Sequence, residues 1–168
     1  IFGVLQQVFG RYCRTASADS FTTSRPGGSG GGAPREDLLR LRDARMVLVG
    51  EPEEDTYLRE SLVKTVTGQD VVVARGIHAK NSAEFVPTWV PVMSTNHRPV
   101  IKGEDHGIWR RLRLIPFVVT IPKNQQDRRL FERLKAELPG ILNWAIKGTL
   151  AWQKSGLKEP RVITESVD

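Results

Sequence analysis

The sequence predicts an α/β fold, in which short buried strands alternate with amphipathic helices. Residues 46–49 (MVLV) form a short apolar run followed by Gly50 and Glu51, a pattern typical of a buried parallel strand. Residues 90–95 form a second such run. Residues 54–66, between the two runs, carry apolar side chains at helical spacing. Strand, helix and strand are therefore expected to pack around one sheet.

Length and composition restrict the class of protein. A chain of 168 residues with 39% hydrophobic residues suits one domain or a compact fragment of a larger one. No apolar run approaches the ~18 residues of a membrane span, so we expect no integral membrane protein. The single cysteine, Cys13, leaves no internal disulfide or Cys-rich zinc site and fits a reducing cytoplasm. No leader peptide is visible, and because the chain starts at Ile1 we expect the natural N-terminus to lie upstream.

The first third of the chain predicts a helix, a linker and a second helix. Residues 1–12 and 36–43 carry apolar side chains at helical spacing. Residues 24–34 (SRPGGSGGGAP) predict a flexible linker. They do not form a phosphate loop, since no apolar strand precedes the glycines and Ala33-Pro34 follows where Gly-Lys-Ser/Thr would open a helix.

The middle of the chain predicts a helix and a hairpin. The helix at residues 54–66 is expected to stop at Gly68. Residues 70–75 and 83–86 predict two strands around a polar turn at residues 76–82, which together form a candidate hairpin.

The last part predicts one strand and two helices. Residues 112–121 (LRLIPFVVTI) are strongly β-like. Residues 127–138 and 140–154 predict helices, the second ended by Gly156. Their inward-facing side chains are predicted to be Leu130, Leu134, Leu138, Ile141, Trp144, Ala145 and Leu150.

The net charge of +6 is unevenly distributed. Residues 36–74 hold nine acidic and five basic side chains, whereas residues 75–113 hold seven basic and three acidic ones. An acidic block followed by a basic block fits a metal or nucleotide site beside an anion-binding surface. An ordinary solvated surface explains the same distribution.

Two strand ends carry candidate catalytic side chains. Glu51 follows the first predicted strand, and Glu54 lies in the acidic run just beyond it. Asn96 follows the second strand. Ligands of open α/β sheets bind at the carboxyl ends of strands, where a carboxylate can hold Mg²⁺ and polarise water and an amide can orient water. The alternatives are an acidic surface and a turn-forming asparagine.

Two basic segments are candidate binding elements. The predicted hairpin carries Arg75, His78 and Lys80 and follows Lys64 in the segment KTVTGQD. Such a hairpin can contact backbone phosphates, or it is an ordinary exposed hairpin. The segment GIWRRLRLIPF carries Arg110 and Arg111; an arginine there can act as an arginine finger or stack on the neighbouring tryptophan.

Residues from about 36 to 155 resemble the C-terminal helicase domain of phage and plasmid primases, a branch of superfamily 3 helicases related to the poxvirus primase-helicase. The resemblance lies in LRDARMVLVGEPEE, in KTVTGQD followed by arginine, in FVPTWVPVMSTNHRP, in GIWRRLRLIPF and in LPGILNWAIKGTLAWQKSGL. It implies an AAA+-like P-loop NTPase core with a mainly parallel sheet. It also implies an ATP- and Mg²⁺-dependent enzyme that forms a ring, usually a hexamer, and moves along single-stranded DNA. Such an enzyme is part of a phage or plasmid replication primase-helicase and acts in the cytoplasm of a bacterial host.

By position, the resemblance implies a role for each candidate. Glu51 corresponds to the Walker B acid that binds Mg²⁺ and activates water, with Glu54 as a possible helper. Asn96 corresponds to sensor 1. Arg110 or Arg111 corresponds to the finger that acts on a neighbouring subunit.

The same resemblance implies the DNA-binding part. Lys64, Arg75, His78 and Lys80 belong to the family's DNA-linked segment and hairpin. This sequence has one acid, Glu51, at the strand end where many relatives have two.

The family's phosphate loop, GxxxxGK[ST], is absent from the sequence. We expect it just upstream of Ile1, so that this chain is a fragment lacking the loop and its strand, inactive by itself. Residues 1–122 are then a truncated helicase core and residues 123–168 a C-terminal helical segment. The alternatives are a non-enzymatic DNA-binding or ring-forming module, or a generic α/β fold.

Overall fold

The computed structural model describes residues 1–25, 34–103 and 106–164. Most of the predicted linker at residues 24–34 lies outside these ranges. The chain divides into two compact units. The sheet unit is Arg11–Arg111, and the helical unit joins Ile1–Gly10 to Leu112–Asp168. The predicted division into residues 1–122 and 123–168 stays a prediction.

The sheet unit contains every strand among the described residues. In chain order the strands are β1 (Cys13–Ala16), β2 (Thr22–Thr23), β3 (Met46–Val49), β4 (Tyr57–Leu58), β5 (Val72–Ala74), β6 (Ala83–Phe85) and β7 (Val90–Met93). The helices of both units are α1 (Phe2–Phe9), α2 (Glu36–Leu39), α3 (Glu60–Thr67), α4 (His106–Trp109), α5 (Leu130–Ala136), α6 (Leu138–Ser155) and α7 (Arg161–Thr164). Short 3-10 turns lie at Gly10–Tyr12, Ala18–Ser20 and Lys123–Gln125.

A three-stranded parallel sheet with the order β1-β3-β7 is the centre of the sheet unit. Met46 pairs with Cys13 on one side and with Val90 on the other. Val47, Leu48 and Val49 are at most 1% exposed, because the central strand is covered on both faces. The prediction of a mixed α/β fold with a buried parallel strand at residues 46–49 is confirmed, as is the strand that begins at Val90.

The edge strand β1 was missing from the sequence prediction. Only Cys13 of its four residues is buried, while Arg14 and Thr15 are exposed. A strand that buries only one of its faces alternates polar and apolar residues, so its sequence contains no continuous apolar run. Its position is set by pairing with β3 rather than by its own composition.

Two antiparallel pairs complete the sheet unit. β2 pairs with β4, and β5 pairs with β6. Val72 lies opposite Phe85 and Ala74 opposite Ala83, so the predicted hairpin around residues 76–82 is confirmed.

The predicted helix at residues 54–66 was wrong in its first part, since α3 begins at Glu60. Leu58 lies in β4 and its N–H donates to the carbonyl of Val100 at 2.9 Å. The Arg59 N–H donates to the carbonyl of Phe21 at 2.7 Å. The N–H groups of Leu58 and Arg59 are thus bound to carbonyls far away in the sequence, and Asp55 has a φ of 60°. The helix therefore cannot begin before Glu60.

The predicted strand at residues 112–121 was also wrong. No regular element is assigned to residues 112–122, and no described strand pairs with them. Phe117, Val118 and Val119 are 79%, 85% and 83% exposed. A β-prone composition gives a strand only when a neighbour supplies hydrogen bonds and packing.

In the helical unit, α1 packs against both α5 and α6. The predicted helices at residues 127–138 and 140–154 are confirmed as α5 and α6, and Gly156 ends α6 with a φ of 70°. The inward orientation predicted for Leu130, Trp144 and Leu150 was wrong, because these side chains are 50%, 73% and 59% exposed.

The other side chains that were predicted to face inward are half-buried: Leu134, Leu138, Ile141 and Ala145.

None of the helices within the described residues combines the length and the hydropathy that crossing a membrane requires.

Candidate functional site

Glu51 and Asn96 are brought together at the carboxyl end of the parallel sheet. Val49 of β3 lies in register with Met93 of β7, so the segments after the two strands leave the sheet side by side. The backbone N–H of Asn96 donates a hydrogen bond of 3.1 Å to Oε1 of Glu51. The structure therefore joins two residues that the sequence predicted to share a site.

A second contact joins the same two segments. Nδ1 of His97 lies 3.6 Å from Oε1 of Glu54. Both side chains are more than half exposed, so this pair contributes little to stability. The backbone N–H of His97 also donates to Oγ1 of Thr95 at 3.1 Å, which shapes the turn that presents Asn96.

The acidic side chains at this edge of the sheet can bind a metal ion only together with ligands from outside the protein. Among the described residues, no three His, Cys, Asp or Glu side chains are grouped to hold a metal. Oε2 of Glu51 has no hydrogen bond or ion pair to any described residue, so one oxygen remains available. Mg²⁺ in nucleotide sites is bound through one or two carboxylates, water and substrate phosphates, and Glu51 fits that arrangement.

Arg111 is held within its own chain. It is half-buried, and its Nη1 donates to the carbonyl of Gly107 at 2.5 Å. Its Nε is buried without a hydrogen-bond partner among the described residues. A Cβ added at Gly68, directly after α3, would lie 3.4 Å from Nη2 of Arg111, so the guanidinium lies beside the end of α3. Arg110 is exposed.

The basic residues of the hairpin lie around its turn. Arg75 directly follows β5, and His78 and Lys80 are exposed in the turn. His78 has a φ of 73°, which turns the chain sharply. Lys64, the fourth candidate, is not part of the hairpin: it is half-buried on α3.

The start of α2 anchors the hairpin turn. The backbone N–H of Arg35 donates to the carbonyl of Arg75 at 2.9 Å. The Ile77 N–H lies 3.5 Å from Oε2 of Glu36. The Arg40 side chain, 3.1 Å from the Glu36 carboxylate, together with the Ile77 N–H holds the pKa of Glu36 below its usual range. An open cavity of about 470 Å³ lies between α2 and the turn.

Two contacts of the segment after Asn96 were not predicted from the sequence. Glu60 binds the loop that follows Asn96, and Trp109 donates from Nε1 to the carbonyl of Gly103 at 3.0 Å. The sequence gives no signal for either contact, since each joins residues brought together only by the fold.

The chain is similar in sequence to viral proteins described as helicases. It is 28% identical over 146 residues to "Putative helicase L207/L206" of Acanthamoeba polyphaga mimivirus, which covers 77% of this chain. It is 26% identical over 120 residues to "Putative helicase 022R" of Frog virus 3 (isolate Goorha), which covers 70% of this chain. The chain spans 15% and 12% of the length of these relatives. No protein-family model matches it. The similarity indicates a helicase-related sequence.

Proposed function

We propose that this chain is part of an ATP-dependent DNA helicase of the superfamily 3 type, in a viral, phage or plasmid replication protein. The observation that carries the proposal is the Glu51–Asn96 hydrogen bond at the carboxyl end of the parallel sheet. That is where α/β nucleotide-binding proteins place their ligands. The similarity to viral helicases supports the same function.

Glu51 is the proposed catalytic carboxylate of the site. Bound Mg²⁺ would neutralise charge on the β- and γ-phosphates. Glu51 would hold that ion through one carboxylate oxygen and would accept a hydrogen bond from the attacking water. The Asn96 N–H fixes the other carboxylate oxygen, which leaves the Asn96 side-chain amide to orient the water.

An arginine from a neighbouring subunit completes the proposed site in a ring, expected to be a hexamer. Arg110 is the better candidate of the two, because it is exposed while the Arg111 guanidinium packs against the end of its own α3. Fingers of this kind contribute about 10³–10⁵ in rate.

The β5–β6 hairpin is the proposed contact with single-stranded DNA. Arg75, His78 and Lys80 are exposed around the turn, where cations can follow a phosphate backbone. Lys64, which is half-buried on α3, is also proposed to contact the DNA.

The test is ATP hydrolysis by the intact protein with and without single-stranded DNA. Glu51→Gln should abolish DNA-stimulated turnover, because the amide is neither a base nor an Mg²⁺ ligand of comparable strength. Glu53→Gln, two residues further in the same exposed segment, is the matched control and should keep turnover. Near-full activity of Glu51→Gln would refute the assignment.

A second candidate is a DNA-binding or ring-forming module without enzymatic activity, favoured by the exposed basic residues of the hairpin. It predicts salt-sensitive DNA binding with no nucleotide turnover in the intact protein. Reading the coding sequence upstream of Ile1 separates the two: GxxxxGK[ST] after an apolar strand supports the helicase, and its absence supports the module.

A further inference from the structure

The Glu60 side chain binds a distant loop through two backbone hydrogen bonds. Glu60 is the first residue of α3, and its Oε1 accepts from the N–H of Lys102 and the N–H of Gly103, each at 2.8 Å. Hydrogen bonds to a carboxylate are stronger than those between neutral groups. This side chain therefore fixes the loop at residues 102–103.

The preceding strand holds the same loop. The Val100 N–H donates to the carbonyl of Thr56 at 2.7 Å, and the Leu58 N–H donates to the carbonyl of Val100 at 2.9 Å. Nζ of Lys102 lies 5.3 Å from the centre of the Tyr57 ring, within cation–π range. Residues 100–103 are thus bound to β4 and α3 by both backbone and side chains.

In the sequence, residues 100–103 lie between Asn96 and the two candidate arginines of the proposed catalytic site. They follow Asn96 and precede α4, after which come Arg110 and Arg111. Trp109 of α4 donates back to the Gly103 carbonyl at 3.0 Å. The position of Gly103 therefore fixes the position of α4.

Helix α3 contacts this connection at both of its ends. Glu60 at its start binds residues 102–103, and Gly68 just beyond its end lies against the Arg111 guanidinium. Ile108 of α4 is fully buried, and α3 packs on α4. The arginine segment is consequently seated on α3 rather than free to move.

The packing at Gly103 gives a second way to disturb the contact. A Cβ added at Gly103 would clash with Oε2 of Glu60. Any side chain at position 103 must therefore push the carboxylate away.

We propose that Glu60 is a positioning residue, which holds residues 102–103 and, through the Trp109 hydrogen bond, helix α4, so that Arg110 reaches the ATP site of the neighbouring subunit. This inference rests on the proposed function. Glu60 acts through the loop and α4. Its loss should leave the Glu51 site of its own subunit intact and misplace the Arg110 side chain that the next subunit needs.

Mixing of variant subunits of the intact protein tests this. Glu60→Ala alone should lower kcat about 10–100-fold, the scale of a displacement of about 1 Å, with little change in KM for ATP. Mixed with Glu51→Gln, it should regain activity, because one subunit supplies a sound Glu51 site and the other sound arginines. Mixed with an Arg110→Ala, Arg111→Ala double variant it should gain no activity above its own residual level, since neither subunit has a correctly placed Arg110.

Matched variants keep the outcome clear. Gly103→Ala should behave like Glu60→Ala, whereas Asp43→Asn, at an exposed carboxylate paired only with Arg42 among the described residues, should behave as wild type. Unchanged kcat of Glu60→Ala, or recovery with the double arginine variant, overturns the inference. If Glu60→Ala is unfolded by circular dichroism, the same mixtures of Gly103→Ala decide it.

The result is separable from failure of the proposed function. A wild-type protein without ATP hydrolysis refutes the helicase proposal itself. A wild type that hydrolyses ATP, and in which Glu51→Gln complements the double arginine variant while Glu60→Ala complements neither, refutes only the role of Glu60.

Discussion

The backbone N–H of Asn96 and Oε1 of Glu51 are 3.1 Å apart, across the ends of two neighbouring parallel strands. This contact uses the main chain of Asn96, so its side-chain amide remains for another task. The two contributions of Asn96 can therefore be separated by mutation.

Asn96→Ala keeps the backbone donor to Glu51 and removes the amide. We expect kcat for ATP hydrolysis to fall about 10²–10³-fold, as for loss of one positioned donor, with KM little changed. Steady-state kinetics of the intact protein measure it. Asn124→Ala, an exposed amide in the helical unit, is the control; equal kcat for both variants would contradict a role for the Asn96 amide.

Lys80→Ala should weaken binding of single-stranded DNA and reduce its salt dependence. Each lost phosphate contact lowers the slope of log K against log salt by about 0.7. Fluorescence anisotropy with a labelled oligonucleotide at several salt concentrations measures both. Lys123→Ala changes the net charge equally at an exposed site outside the hairpin. If its slope matches that of Lys80→Ala, the hairpin makes no specific contact.

Arg110→Ala should affect catalysis, whereas Arg111→Ala should affect stability. Arg111 is half-buried against the end of α3 and donates to Gly107, so its loss should lower the thermal midpoint. Arg110 is exposed, so its loss should spare the midpoint and lower kcat. Thermal unfolding and ATP hydrolysis on the same preparations measure these effects, and Arg110→Ala should regain activity when mixed with Glu51→Gln. A reversed pattern would assign the finger to Arg111.

The anchoring of the hairpin turn by Glu36 should depend on pH. The Arg40 hydrogen bond, with the Ile77 N–H, lowers the pKa of Glu36 in the folded state. A lowered pKa means that the contact stabilises the turn above the unfolded value of about 4.3 and is lost as pH falls through the folded value.

The amide of Ile77 reports this contact by NMR. Its chemical shift should titrate with a midpoint below that of an ordinary glutamate in the wild type. The titration should be absent in Glu36→Gln and unchanged in Glu132→Gln on α5. A midpoint at or above the ordinary value would show that the carboxylate does not bind the turn.

Cys13 should react slowly with thiol reagents in the folded protein. It is 7% exposed at the start of β1, and burial raises the pKa of its thiol. Both effects reduce the accessible thiolate. Labelling with an aromatic disulfide should be slow in buffer and fast in denaturant. A Cys13→Ala, Ser24→Cys double variant, with an exposed thiol, should react fast in both, and a wild type that does the same would contradict the burial.

The sequence predicted those parts of the fold whose signal is local. The run at residues 46–49 is apolar along its whole length because β3 is covered on both faces, and the segments around residues 76–82 carry hairpin signals. Strand β1 was missed because Arg14 and Thr15 face solvent. The beginning of α3 was misplaced because the N–H groups of Leu58 and Arg59 bind residues far away in sequence.

The same distinction applies to the candidate site. Glu51 and Asn96 could be predicted to meet, because strand order and parallel direction suffice to bring their ends together. The role of Glu60 could not, since its contact with residues 102–103 depends on the path of a loop. Periodicity describes one face of one element and carries no information on which loop crosses it.

The exposed segment at residues 112–121 has a consequence for handling the isolated chain. Phe117, Val118 and Val119 present β-branched and aromatic surface, and their backbone groups make no hydrogen bond to the part of the chain that the structure describes. Such a surface favours intermolecular strand pairing and aggregation. Pro116 and Pro122 enclose this run. Neither can donate a backbone hydrogen bond, so they act as gatekeepers that limit a self-associating stretch to five residues. Replacing either proline would lengthen that stretch and make the chain harder to keep in solution.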